Sequence, residues 1–266
     1  MLKAIGMDET ASQLESDKTV LIEEEFSPLK SKIEYINRVV GVVIGMMISL
    51  VLFASFRFLK SRKKLFFTAL LAWLSVVFTG WFGSIVVSTN LTPWTVSVHL
   101  GFAFLIVSLL VYLYHATLVQ DLKVLSAVPV WLVWLCFALS VTQMIFGVQV
   151  REALDQVAYA LADRREEWVA NLGMEFIVHR SFSWIVLLLN GWLSFTLIKI
   201  NGYTLLPIGL AVLTFGSVAT GVGMAYASVP AFLQPIHLLI SVLVFGVLLL
   251  VLLKTRSTSL PPQSIS

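Results

Sequence analysis

The chain has 266 residues, of which 58% are hydrophobic and 12% charged, and its mean hydropathy is +0.92. That balance excludes an ordinary soluble domain and predicts a polytopic membrane protein. The net charge of +3 comes without any basic patch interleaved with aromatics, which argues against nucleic acid as a partner, and the lone Cys136 excludes an intrachain disulfide.

Residues 1–34 are polar and acidic, ending in Glu34, and contain no apolar core of a signal peptide. They read as a flexible or partly amphipathic tail. Seven apolar runs follow, at 35–58, 65–88, 96–118, 124–148, 175–199, 204–228 and 233–253. Each has roughly the 20 residues a bilayer-spanning helix needs, and helix is the form in which a span satisfies its own backbone hydrogen bonds. The expected fold is all-α, a polytopic helix bundle of about seven spans in two pseudo-repeated halves. Residues 35–119 form a three-helix repeat and 120–254 a second repeat of four helices, with 255–266 a cytoplasmic tail. The long connection at 149–174 is expected to be an external loop. Within it, apolar residues at 154, 157, 158, 161 and 162 have helical spacing and suit a segment lying flat on the outer surface.

Orientation is read from Lys and Arg. Arg57, Lys60, Arg62, Lys63 and Lys64 are the densest cluster in the chain. Placing them inside puts nine Lys and Arg with one carboxylate, Asp121, on that side, against nine with fourteen carboxylates outside. The expected topology is N-terminus out and C-terminus in, in the cytoplasmic membrane of a bacterium.

Glu175-Phe176-Ile177-Val178-His179-Arg180 opens one span, and Glu34-Tyr35-Ile36-Asn37-Arg38 opens an earlier one in the same way. Later in each unit a proline-led segment reaches a histidine, from Pro93 to His99 and from Pro230 to His237. Asn37 to His99 is 62 positions and His179 to His237 is 58, so one unit presents a pair of histidines where the other presents Asn37 and His99. With alternating spans, all four residues fall near one face of the membrane. Two imidazoles facing each other in a bundle can supply both axial ligands of a haem iron. Arg180 and Arg38 beside them suit haem propionates. Ionisable residues at such depth are costly and point to function. A lone histidine at a helix end is more often merely hydrogen-bonded, and the duplication argues against that here. His99 is the weaker ligand, because asparagine is a poor iron donor. Glu34 lies one helical turn before Asn37 and suits a proton acceptor, or simply an anion at a helix N-terminus. His115 lies 16 residues after His99, about 24 Å along a helix, and reads as interfacial. Zinc would need cysteine or carboxylate companions that the spacing does not offer.

These residues resemble the haem A synthase family of cytochrome oxidase assembly proteins. Glu34-Tyr35-Ile36-Asn37-Arg38 is similar to the family pattern E-x-x-H-R. The stretch from Gly83 to Trp94 leading to His99, the stretch from Gln143 to Glu152, His179-Arg180 and His237 are similar to further family motifs, and together they extend over about 34–254. The resemblance implies eight helices in two four-helix halves. It implies a prosthetic haem b between His179 and His237, and a first half in which haem O is oxidised at its C8 methyl to the formyl of haem A, with Glu34, Asn37 and His99 at family positions. Two departures fall on that first half: Asn37 stands where the family has histidine, and the family's first helix and following cysteine-bearing loop have no counterpart before residue 35.

The leading expectation is therefore a haem A synthase-type membrane oxidoreductase, with haem O as substrate and partners that include the bilayer, a haem O synthase or a polypeptide supplying the missing helix. A non-catalytic haem-binding assembly or haem-transfer protein is the second. The third, a b-type electron-transfer cytochrome, needs a second haem near the inner face, where only His115 is available.

Overall fold

The computed structural model describes residues 28–88, 93–118, 128–161, 164–202 and 204–256. Most of the acidic tail, Asp121, Lys123 and the last ten residues lie outside them. Among the described residues there is no strand. The helices are α1 (Pro28–Ser55), α2 (Lys63–Ser88), α3 (Pro93–Leu118), α4 (Val130–Leu161), the single turn α5 (Arg165–Trp168), α6 (Met174–Asn201), α7 (Leu205–Tyr226) and α8 (Leu233–Arg256). Seven of them are long and apolar enough to cross a membrane, and the protein is an integral membrane protein. The chain divides into two compact units, 1–47 and 48–266.

The first unit is described from Pro28, which opens α1; its fixed φ suits the first turn of a helix and its missing N–H costs nothing there. The last seven residues of the expected tail are therefore helical. Arg38 pairs with Glu34 one turn earlier on the same face.

In the second unit, α4, α6, α7 and α8 form a closed ring: α4 packs on α6, α6 on α7, α7 on α8, and α8 back on α4. The centre of the ring is Leu132, Val133, Cys136, Leu193, Leu197, Leu210, Leu248 and Val251, all at most 1% exposed. Branched and straight apolar side chains interdigitate there, and packing of this kind associates helices in lipid, where no hydrophobic drive separates one helix from another. α2 and α3 pack on each other, and α3 packs on the outer side of α8. Phe245 of α8 joins the two groups, with its ring 5.2 Å from Phe104 of α3 and 5.4 Å from Phe137 of α4.

The expected loop over 149–174 differs from the structure. α4 runs without a break to Leu161, 32 residues in all, about 48 Å at 1.5 Å per residue against a hydrocarbon core of about 30 Å. No Gly or Pro occurs between Gly147 and Leu161 to stop it, and Arg151 pairs with Asp155 one turn on at 2.9 Å. The helical spacing noted at 154–161 is thus the continuation of the span beyond the bilayer. Only α5 and the 3-10 turn Val169–Asn171 remain as the connection to α6.

Candidate haem-binding site in the second bundle

His179 is in the second turn of α6 and His237 in the second turn of α8. Both are half-buried at the same end of the ring, and their ring centroids are 6.4 Å apart with planes at 72°. Two imidazoles bound to one metal on opposite sides, with metal–nitrogen bonds of about 2.0–2.1 Å and ring centres roughly 1 Å behind each nitrogen, put their centroids about 6 Å apart. The pair already has that separation.

Each ring rests on a glycine of the neighbouring helix. A Cβ built on Gly147 of α4 meets His179 Cε1 at 3.3 Å, and one on Gly221 of α7 meets His237 Cε1 at 3.4 Å. His99 of α3 stands in the same way against Gly83 of α2, at 3.5 Å. Gly83 to His99 and Gly221 to His237 are both 16 residues, so α2–α3 and α7–α8 are copies of one hairpin plan. The fourth histidine, His115, is on the last turn of α3, away from these three.

Thr220 Oγ1 is 2.8 Å from the carbonyl of Gly216, 2.9 Å from that of Ser217 and 2.9 Å from His237 Nδ1. When the hydroxyl proton goes to a carbonyl, Oγ1 accepts and Nδ1–H donates to it. Nε2 then carries the free lone pair, which is the form a metal ligand needs. Ser241 donates to the His237 carbonyl at 2.9 Å and pairs with Ser217 at 3.3 Å, so the backbone behind the ring is tied to α7 as well.

His179 is held by Gln143 of α4. The amide nitrogen donates to the His179 carbonyl at 3.0 Å and lies 3.2 Å and 3.4 Å from the two ring nitrogens, across the nitrogen-bearing edge of the ring. Gln143 Oε1 is buried and has no hydrogen-bond partner among the described residues. A buried orphan of this kind is expensive in an apolar setting.

Other expected site residues are placed as follows. Arg180 is exposed, with its guanidinium 5.6 Å from the Phe176 ring centre. Glu34, Asn37 and Arg38 are on the part of α1 that belongs to the first unit. His99 Nδ1 is buried without a partner among the described residues; the residue before its glycine is Phe82, where the second bundle has Thr220. Among the described residues no three His, Cys, Asp or Glu side chains gather as a metal site.

A model of the cytochrome oxidase assembly protein family (COX15-CtaA) matches residues 8–249. The chain belongs to this family, that of the haem A synthases. Searches of curated proteins and of solved structures returned no match. Family membership gives this protein a role in haem A biosynthesis and cytochrome oxidase assembly. A haem is the group that membership implies, and the second bundle fits one. It offers two imidazoles with centroids 6.4 Å apart, each seated against a glycine.

Proposed function

We propose that the protein is a haem A synthase-type oxidoreductase that converts the C8 methyl of haem O to the formyl of haem A, and that it holds a haem b of its own between His179 and His237. The observation that carries the reading is the 6.4 Å spacing of those two rings, each seated on a glycine. The bound haem b supplies a one-electron redox centre. The chain's residues do the rest. Thr220 keeps the His237 Nδ1 proton in place and so leaves Nε2 free. Gln143 fixes the backbone and ring edge of His179. Arg180, exposed at the mouth of α6, suits a propionate.

For the substrate haem, the candidates are His99, Asn37 and Glu34, in stretches that resemble the family's motifs. His99 would supply an imidazole to that iron, and Asn37, an amide where the family has an imidazole, would be a poor iron donor. Going from methyl to formyl with one water releases four electrons and four protons; the electrons leave to an external acceptor, and Glu34, paired with Arg38 one turn on, is a carboxylate suited to take up one of the protons. The orientation, N-terminus out in the cytoplasmic membrane of a bacterium, places these residues toward the outer face.

One residue favours a second reading. Asn37 stands at the family histidine, which suits a protein that binds and passes haem without oxidising it. The two separate on haem composition. The protein is expressed with a haem O source in cells that make no haem A, and extracted haems are identified by chromatography. Haem A that disappears with Glu34→Gln and His99→Ala supports the oxidoreductase. Haem b with unconverted haem O supports the haem-transfer reading.

A further inference from the structure

The cation cluster at 57–64 has no part in the haem chemistry. No Asp or Glu occurs between Glu34 and Asp121, and among the described residues the salt bridges of the chain involve none of the five cations. Two are fixed in other ways. Arg57 lies 4.7 Å from the centre of the Phe58 ring. Arg62 donates to the carbonyl of Ala116 at 2.8 Å, across from the start of α2 to the end of α3. Lys63 and Lys64, in the first turn of α2, are exposed.

Two adjoining shallow, open depressions lie between α2 and α3 at this end. One, of about 400 Å³, is lined by Lys63, Lys64, Phe67, Thr68, Leu71 and Tyr112. The other, of about 370 Å³, shares Lys63, Lys64 and Tyr112 and reaches Arg62 and Ala116. The groove is therefore cationic at the end of the span and apolar one and two turns further in, where Phe67 and Leu71 are 57% and 47% exposed. A free phosphate would leave the apolar wall uncovered. An acyl chain alone would leave the ammonium groups unneutralised.

We propose that this groove binds an anionic phospholipid, with its phosphate between Lys63, Lys64 and Tyr112 and an acyl chain along Phe67 and Leu71. Basic pockets between spanning helices recognise anionic headgroups through this combination of charge and apolar surface. A cation cluster that served only to orient the chain would need its total charge and no groove.

Native mass spectrometry of the full-length protein tests this, with phosphatidylglycerol, phosphatidylcholine and inorganic phosphate as probes. The expected result is retention of phosphatidylglycerol over phosphatidylcholine and no phosphate adduct. Each lysine near an anionic headgroup is worth roughly a factor of five, so Lys63→Gln with Lys64→Gln lowers the preference about 25-fold. Lys60→Gln, which removes the same kind of charge outside the groove, leaves it unchanged. The single variants Lys63→Gln and Lys64→Gln, each expected to lose about fivefold, replace the double one if it does not fold. Equal retention of the two lipids, phosphate binding as tight as lipid binding, or a loss with Lys60→Gln matching that with Lys64→Gln overturns the proposal.

Discussion

His237 Nδ1 lies 2.9 Å from Thr220 Oγ1, across the α7–α8 interface. Outer partners of this kind set the orientation and basicity of a ligating imidazole, and losing one typically costs 10- to 100-fold in metal affinity. Thr220→Val keeps the shape and removes the acceptor. We expect haem affinity to fall about tenfold and the reduction potential to move, with Thr220→Ser restoring both. Redox titration and haem transfer to apomyoglobin measure the two effects; unchanged values in Thr220→Val would mean the hydroxyl does not support the ligand.

The second expectation concerns the ligands themselves. His179→Ala or His237→Ala should abolish a low-spin bis-histidine absorption spectrum, while His115→Ala, on the far turn of α3, should leave it intact. A full low-spin spectrum in the double variant His179→Ala, His237→Ala would show that the iron is held elsewhere.

Glycine variants report on the seats under the rings. Gly147→Val and Gly221→Val put branched side chains where a Cβ alone already meets Cε1 at 3.3 Å and 3.4 Å, so haem content should drop severalfold and the electron paramagnetic resonance g-values of any residual haem should shift as the rings turn. Gly191→Ala is the control. A Cβ there meets nothing within 4 Å, and the gain in helix propensity is about 0.8–1 kcal/mol. Haem content that falls equally in all three variants would point to general misfolding.

The turn from α7 to α8 has two consecutive residues in the left-handed region, Ser228 at φ 55 and Val229 at φ 51. That conformation costs a side-chain-bearing residue roughly 1–2 kcal/mol. Ser228→Gly should therefore raise the apparent melting temperature of the protein by a degree or two, less the entropy of the added glycine. Val229→Gly relieves the same strain but removes a side chain only 4% exposed, and should give no gain. Thermal aggregation assays on the two variants side by side decide it; stabilisation by Val229→Gly greater than by Ser228→Gly would contradict the burial argument.

Orientation can be checked by labelling with a membrane-impermeant thiol reagent. Ser61→Cys, between α1 and α2, should react only from the cytoplasmic side, and Ala160→Cys, near the end of α4, only from outside. Both positions are exposed, whereas the native Cys136 is buried. The opposite pattern would reverse the topology.

The seven spans were legible because bilayer thickness fixes how many apolar residues a crossing helix needs, and His179 and His237 because buried imidazoles are rare and the repeat placed them at one depth. Helix was legible at 154–161 from its apolar spacing, but its continuity with α4 was not, since the polar residues around Arg151 and Glu152 look like a loop to a test built on apolarity. Gln143 and Thr220 were also hidden. Amides and hydroxyls are common in spanning helices, and only the register between neighbours shows which of them meets a histidine. The glycine seats could have been found. Gly83 with His99 and Gly221 with His237 share a 16-residue separation, a regularity carried by the small residue rather than by the ligand.

α8 has a consequence for how the protein is made. It closes the ring against α4 and α7, carries one of the two paired histidines, and is the surface on which α3 packs. It is also the last of these helices to leave the ribosome. Until α8 has been synthesised, α4, α6 and α7 have an open side, His179 has no opposing imidazole, and α2–α3 lack the larger of the surfaces they dock on. Closure of the bundle, pairing of the ligands and joining of the two groups of helices are therefore one late event in biogenesis, and a chain that stops early has no opposing imidazole with which to hold a cofactor.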